Sequence, residues 1–127
     1  MMHETEQSRT GRLGEDAAVE LLRRQGLRIV ARNWRSGSYE LDVVAERLGV
    51  LYFVEVKTRR AEGLTTPEEA LTPHKCRSLQ RAAQAFLATA GVRYEGYEVQ
   101  FDLVAVRVSA DGTMQAERIE QAIEFGW

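Results

Sequence analysis

Charged side chains stand inside two of the most apolar segments of this chain. Residues 41–45 and 50–56 are almost continuously apolar, yet Asp42 interrupts the first segment and Glu55 the second. Such continuous apolar runs are typical of strands that are covered on both faces. A charge buried in a strand costs several kcal/mol unless it is paired or holds a metal. These positions therefore predict a site that folding alone does not explain.

The two segments are close enough in sequence to form a hairpin. Strands over residues 39–47 and 50–58 would be joined by a short turn at Leu48 and Gly49. Successive strand side chains point to opposite faces, so Glu55 and Lys57 emerge on the same face. Asp42 can join them from the neighbouring strand. Two carboxylates and one ammonium would then converge within reach of one metal ion.

This set of groups suits Mg²⁺, with Mn²⁺ as a substitute. Mg²⁺ takes oxygen ligands, usually one or two carboxylates, and completes its shell with water and substrate phosphate. Asp42, Glu55 and the Val56 carbonyl would be its ligands. Lys57 would orient the attacking water or stabilise charge on the phosphate. The pattern predicts metal-dependent phosphodiester cleavage, and the alternative is a solvated or salt-bridged face of an antiparallel sheet.

An ordered set of short motifs resembles a known family. The D…ExK arrangement is similar to that of the PD-(D/E)XK nuclease superfamily. More closely, the chain resembles the YraN-like family of bacterial endonuclease-like proteins, which is related in fold to archaeal Holliday junction resolvases. The motifs that carry the resemblance are Gly11-Arg-Leu-Gly14-Glu15, Ala31-Arg32-Asn33, Glu40-Leu-Asp42, Phe53-Val-Glu55-Val-Lys57-Thr-Arg59, Lys75 and Phe101-Asp102.

The resemblance implies an α/β fold with a restriction-endonuclease-like core, in which helices flank a central mixed sheet. It also implies that Glu15 is a further carboxylate at the metal centre, with a catalytic role. From the residues alone, Glu15 is equally well explained as an exposed acid in the first turn of a helix, where the helix dipole favours it. Nucleases of this fold often pair two active sites, so a homodimer is one expectation, although the sequence identifies no dimer face.

The remaining pattern predicts the other elements of a single domain. We expect a disordered tail over residues 1–8 and one endonuclease-like domain over residues 9–127, because 127 residues with 44% hydrophobic content support one core. Helices are predicted over residues 9–25 and 72–90, and strands over 27–35, 99–108 and 114–119 in addition to the hairpin. Asp102 is expected to have a structural hydrogen-bonding role. Residues 59–71 are predicted to be a loop containing Gly63 and Pro67, and Phe125 and Trp127 to cover the edge of the core.

Three cations are candidates for nucleic-acid binding. Lys75 falls in the first turn of the second helix, where a cation opposes the helix dipole by about 0.3–1 kcal/mol. It therefore predicts a contact with a phosphate or a carboxylate, and a snorkelling lysine is the alternative. Arg59 and Arg32 flank the central strands. The net charge of −2 argues against a strong non-specific nucleic-acid binder.

The sequence thus predicts a nuclease that acts on DNA, including branched or damaged structures. Two alternatives stay open: a nucleic-acid-binding or scaffolding module without turnover, and a hydrolase of another phosphate ester. No apolar run is long enough to span a membrane and the N-terminus does not resemble a signal peptide, so we expect a cytoplasmic protein with no membrane partner. The single cysteine, Cys76, excludes an intramolecular disulfide and a cysteine metal cluster.

Overall fold

The computed structural model describes residues 4–62, 66, 69 and 71–123. Its elements follow the predicted order: α1 (Glu6–Arg24), β1 (Arg28–Ser36), β2 (Tyr39–Arg47), β3 (Val50–Arg60), α2 (Pro73–Ala90), β4 (Glu98–Val108) and β5 (Met114–Ile123). Strands β3 and β5 extend two and four residues beyond their predicted ends. The predictions for residues 1–3, Gly63, Pro67, Phe125 and Trp127 lie outside the described residues.

Capping side chains set where both helices begin. The Thr5 side chain accepts a hydrogen bond from the Ser8 amide at 3.0 Å, and α1 therefore begins before residue 9, the predicted start. Thr72 caps α2 in the same way and Pro73 follows as its first residue, as predicted. Among the described residues, no helix is both long and apolar enough to cross a membrane.

The strands form one mixed sheet in the order β1-β2-β3-β4-β5. Strands β3 and β4 pair in parallel, while every other neighbouring pair is antiparallel. Helix α2 is the crossover that a parallel connection requires. The arrangement is an α/β fold and is consistent with a restriction-endonuclease-like core.

The two helices cover opposite faces of the sheet. Phe53 packs in one buried cluster with Leu79 and Phe86 of α2, whereas Val54 packs in another with Ala18 and other residues of α1. Because adjacent strand residues point to opposite faces, these clusters are separated by the sheet. Strand β3 is therefore buried on both sides, as its apolar sequence predicted.

The sheet opens into two arms beyond the middle of β2 and β3. Pairing between these strands ends at Val43 and Val54. Beyond that point β2 continues to pair with β1, and β3 continues to pair with β4 as far as Arg60 and Val108. Continuing the β2–β3 register one step would place Asp42 opposite Glu55. We call this opening, between the β1–β2 arm and the β3–β4 arm, the fork.

A second buried acid closes a bulge between β4 and β5. Asp102 is 1% exposed, and the pairing register shifts between Phe101 and Leu103. Its Oδ1 accepts a hydrogen bond from the Gln121 amide at 2.9 Å, and its Oδ2 lies 2.8 Å from the Arg118 guanidinium. These contacts agree with the structural role predicted for Asp102.

Candidate active site

Asp42 occupies the base of the fork. The Val56 amide of β3 donates a hydrogen bond to Asp42 Oδ2 at 2.9 Å. A side chain thus satisfies a strand amide at the point where the β2–β3 ladder stops. The Asp42 carboxylate is consequently held in the plane of the sheet, against the open edge of β3.

Glu55 lies beside Asp42 and is almost completely buried. It is 7% exposed, and its position in β3 directs it to the face that α2 covers, like Phe53. Lys75, in the first turn of α2, places its Nζ 2.9 Å from Glu55 Oε2. The structure therefore places Lys75 against a carboxylate of the predicted metal centre.

Glu15 approaches the same point from the other face. It is half-buried on α1, and its carboxylate lies 3.5 Å from the Arg32 guanidinium. The preceding residue, Gly14, is buried where α1 contacts Thr58 of β3; a Cβ there would overlap Thr58 Oγ1 and lie 3.0 Å from two of its carbons. The absence of a side chain at Gly14 allows the close packing that brings Glu15 to the fork.

We expect Gly14→Ala to lower the free energy of unfolding by about 1–3 kcal/mol, the usual cost of overpacking a core. The added methyl group must displace Thr58 or α1. Urea unfolding of Gly14→Ala, Thr58→Ala and the double variant measures the coupling between the two sites. Gly11→Ala is the matched control, because a Cβ at Gly11 meets no atom within 4 Å. Equal stabilities of the Gly11 and Gly14 variants would contradict this account of the contact.

Burial and mutual repulsion change the proton affinity of these acids. The pKa of Glu55 is raised to about 8, first by burial and then by the neighbouring Asp42, through a hydrogen-bonding interaction and through its negative charge. Lys75 acts in the opposite direction. Burial and the charge of Asp42 also raise the pKa of Glu15, against the influence of Arg32 and Asn33. Burial opposes the charge on Lys75, but its contact with Glu55 raises its pKa overall. The carboxylates are therefore held together at an electrostatic cost.

The raised pKa of Glu55 predicts a pH-dependent stability in the absence of divalent metal. Between pH 4.5, the ordinary pKa of the group, and about 8 the folded state binds more protons than the unfolded state. The free energy of unfolding should therefore fall as pH rises through this window, by up to about 1.4 kcal/mol per pH unit. Glu55→Gln lacks this titration.

Urea unfolding of both proteins in EDTA isolates the contribution of Glu55. We expect the free energy of unfolding of wild type, minus that of Glu55→Gln, to decrease from pH 4.5 to about 8 and then to level off. A difference that does not change with pH would contradict the raised pKa.

The donor groups at the fork fit a hard divalent cation. Glu15 Oε1 and Glu55 Oε2 are buried and accept no hydrogen bond beyond their ion-pair contacts with Arg32 and Lys75. Within the described part of the chain, no three His, Cys, Asp or Glu side chains are already grouped to hold a metal. Two carboxylates, one carbonyl and water are nevertheless what Mg²⁺ commonly takes. Asp42, Glu55 and the Val56 carbonyl can supply that set.

The other predicted site residues have different surroundings. Lys57 is half-buried and shares the Glu55 face of β3, while Arg59 is exposed. Arg32 is engaged by acids, since its guanidinium lies 2.7 Å from Asp16 as well as near Glu15.

Sequence reasoning missed two residues that support the site. Asn33 opposes the rise in the pKa of Glu15 and has a φ of 51°, a conformation that asparagine tolerates. It stands in one of the motifs that carry the resemblance, so a signal was present. Thr58, which packs against Gly14, also stands in one of these motifs, between Lys57 and Arg59, but nothing in the motif indicates its contact with α1.

Comparison with known proteins identifies the family. The model of the "Uncharacterised protein family UPF0102" matches residues 14–106. A UPF0102 protein of Nitratidesulfovibrio vulgaris is 48% identical over 116 residues, covering 91% of this chain and 84% of that protein. A UPF0102 protein of Symbiobacterium thermophilum is 46% identical over 114 residues, covering 90% and 95%. One of Bacteroides fragilis is 39% identical over 112 residues, covering 88% and 89%. The chain therefore belongs to the UPF0102 family, the YraN-like family that its motifs resemble.

Proposed function

We propose that this protein is a Mg²⁺-dependent endonuclease that hydrolyses phosphodiester bonds in DNA, including branched or damaged structures. The observation that carries the proposal is that Asp42, at the base of the fork, lies close enough to Glu55 and to Glu15 to raise the pKa of each. Two elements besides β2 thus place an acid near Asp42, although burial and repulsion raise the pKa of both of these acids. Folding gains nothing from such a cluster, whereas a cation between the acids would stabilise it.

Each group at the fork has a role in this reaction. Asp42, Glu55 and the Val56 carbonyl would hold Mg²⁺, with Glu15 as a further carboxylate. When bound, the metal acidifies a water molecule and neutralises the phosphate. Lys57 orients that water or stabilises charge on the phosphate, because it shares a face with Glu55 two residues away.

Lys75 has a role that its contact with Glu55 suggests. Its ammonium lies 2.9 Å from a buried carboxylate oxygen of Glu55 and offsets the charge of that carboxylate. A divalent cation at Glu55 would weaken this pairing and allow Lys75 to contact the substrate phosphate. The same residue would thus stabilise the site before metal binds and bind substrate afterwards.

Metal binding and cleavage test the proposal together. Isothermal titration with Mg²⁺ and Mn²⁺ should show binding to the folded protein. Labelled linear, flapped and four-way DNA should then be cut in the presence of metal and remain intact in EDTA, and the preferred shape would identify the substrate. A folded protein that binds DNA but no metal would instead be a nucleic-acid-binding module without turnover. A protein that binds metal and hydrolyses only small phosphate esters would be a different hydrolase.

A further inference from the structure

Three cations lie together on one face of the β3–β4 arm. Lys57 and Arg59 follow Glu55 along β3 at alternate positions, so all three side chains leave the sheet on the side of α2. Arg107 of β4 is the parallel partner of Arg59 in the pairing register. Phe101, six residues before Arg107 on the same strand, packs on the α2 side, so the alternation of strand side chains places Arg107 on that side as well. The row therefore begins two residues from a predicted metal ligand and crosses to the next strand.

None of these three cations has an acidic partner in the described part of the chain. Arg59 donates to the Thr58 carbonyl at 3.1 Å, which leaves its charge uncompensated. The arginines of the β1–β2 arm differ in this respect. Arg32 pairs with Glu15 and Asp16, and Arg35 lies 3.5 Å from Glu40.

Folding does not account for such a row. Like charges beside one another on a sheet destabilise it, whereas opposite charges at those positions would contribute favourably. Lys57 and Arg107 are half-buried, which reduces the screening of their charges by water. An extended polyanion lying along the row would remove this repulsion. The overall charge of −2 conceals the row because acids elsewhere balance it.

We infer that the β3–β4 arm binds the DNA phosphate backbone through Lys57, Arg59 and Arg107, and that Arg107 is a DNA-contacting residue. Neighbouring positions in the row are about 5–7 Å apart, since strands lie about 4.8 Å apart and alternate residues about 6.6 Å. Successive phosphates can therefore be engaged as the backbone leaves the fork. Arg32, whose charge is already compensated, is not part of this surface. The inference rests on the proposed function, since it names the surface that positions the substrate.

The salt dependence of DNA binding tests this surface. Fluorescence anisotropy with a short labelled duplex, from about 50 to about 200 mM salt, gives the slope of log affinity against log salt concentration. The titration is made in EDTA and again with Ca²⁺. Arg59→Gln and Arg107→Gln should each reduce the magnitude of the slope by about 0.9, the value for one lost phosphate contact. Arg107→Lys should retain the slope.

Arg23→Gln is the matched control, because Arg23 is exposed in the last turn of α1, on the opposite face of the sheet. It should leave the slope unchanged. If wild type binds DNA but the Arg59 and Arg107 variants keep its slope, the proposed surface is wrong and the proposed function stands. If wild type binds no DNA in either buffer, both are overturned. If the slopes fall as expected without any cleavage, the surface is supported and the catalytic proposal is not.

Discussion

Asp42→Asn and Glu55→Gln are each expected to reduce DNA cleavage by more than about 100-fold. Altering groups that only support metal ligands already costs about 10–100-fold, and these two changes would remove ligand charge itself. Both substitutions preserve size closely, so the side-chain amide oxygen introduced at position 42 can still accept the Val56 hydrogen bond that Asp42 accepts. Cleavage rates with Mg²⁺, together with isothermal titration of the metal, measure the loss.

Glu40→Gln is the matched control for this prediction. Glu40 lies two residues from Asp42 on the same strand, but its side chain is 55% exposed and its nearest cation is Arg35 at 3.5 Å. Its loss should leave cleavage close to wild type. If the Asp42 or Glu55 variant also cleaved within about tenfold of wild type, a difference of only about 1.4 kcal/mol, the metal site would not be at the fork.

The elements of the fold could be predicted because their signals are local. The bounds of β2, Tyr39–Arg47, match the prediction. The turn after it contains Leu48 and Gly49, which both have positive φ and so form the tight connection expected between hairpin strands. Thr72 and Pro73 mark the start of α2 for equally local reasons. The Thr72 side chain accepts a hydrogen bond from a free amide of the first turn, and Pro73 has no amide hydrogen that would need a partner there.

The fork could not be predicted, because it depends on contacts between elements. Alternation suggested that Asp42 could lie beside Glu55, but nothing in the sequence indicates that β2 leaves β3 at Val43. The same limit applies to α1. Leu13 and Val19 are both apolar residues of that helix, but Leu13 is 37% exposed while Val19 is 2% exposed. The orientation of a helix on a sheet depends on close contacts such as Gly14 with Thr58, which periodicity does not encode.

The sequence therefore predicted which residues form the candidate site and that Asp42 could approach Glu55, but not how the sheet opens around them. Asp42 and Glu55 were singled out because charge within apolar strands is costly, whereas the role of Glu15 came from the resemblance. Nothing in the sequence distinguishes the cations that are available to a substrate from those that are not. Arg32 and Arg59 are alike in sequence, but Arg32 is compensated by two acids and Arg59 by none among the described residues. Ion pairing of this kind depends on which side chains meet after folding.

Asp102→Ala is expected to reduce the free energy of unfolding by about 3–5 kcal/mol, the usual cost of removing one member of a buried ion pair. The Arg118 side chain is 9% exposed and would lose its closest counter-charge. The Gln121 amide, in the bulge of β5, would lose its acceptor. Urea unfolding measures the loss, and Tm should fall by roughly 10 °C or more.

Two further variants separate the buried charge from other consequences of the substitution. Adding Arg118→Met to Asp102→Ala should recover part of the lost stability, because the unpaired charge disappears and only the cavity and the unsatisfied amide remain. Glu20→Ala removes an exposed ion pair with Arg24 and should cost at most about 0.5 kcal/mol. If the double variant were no more stable than Asp102→Ala, packing rather than charge would explain the effect. Asp102 is the register partner of Val54 at the base of the fork, but no hydrogen bond or ion pair among the described residues joins Asp102 or Arg118 to Asp42 or Glu55. The double variant should therefore retain the metal binding that we propose at Asp42 and Glu55. A loss of stability and metal binding together would show that the two sites are coupled.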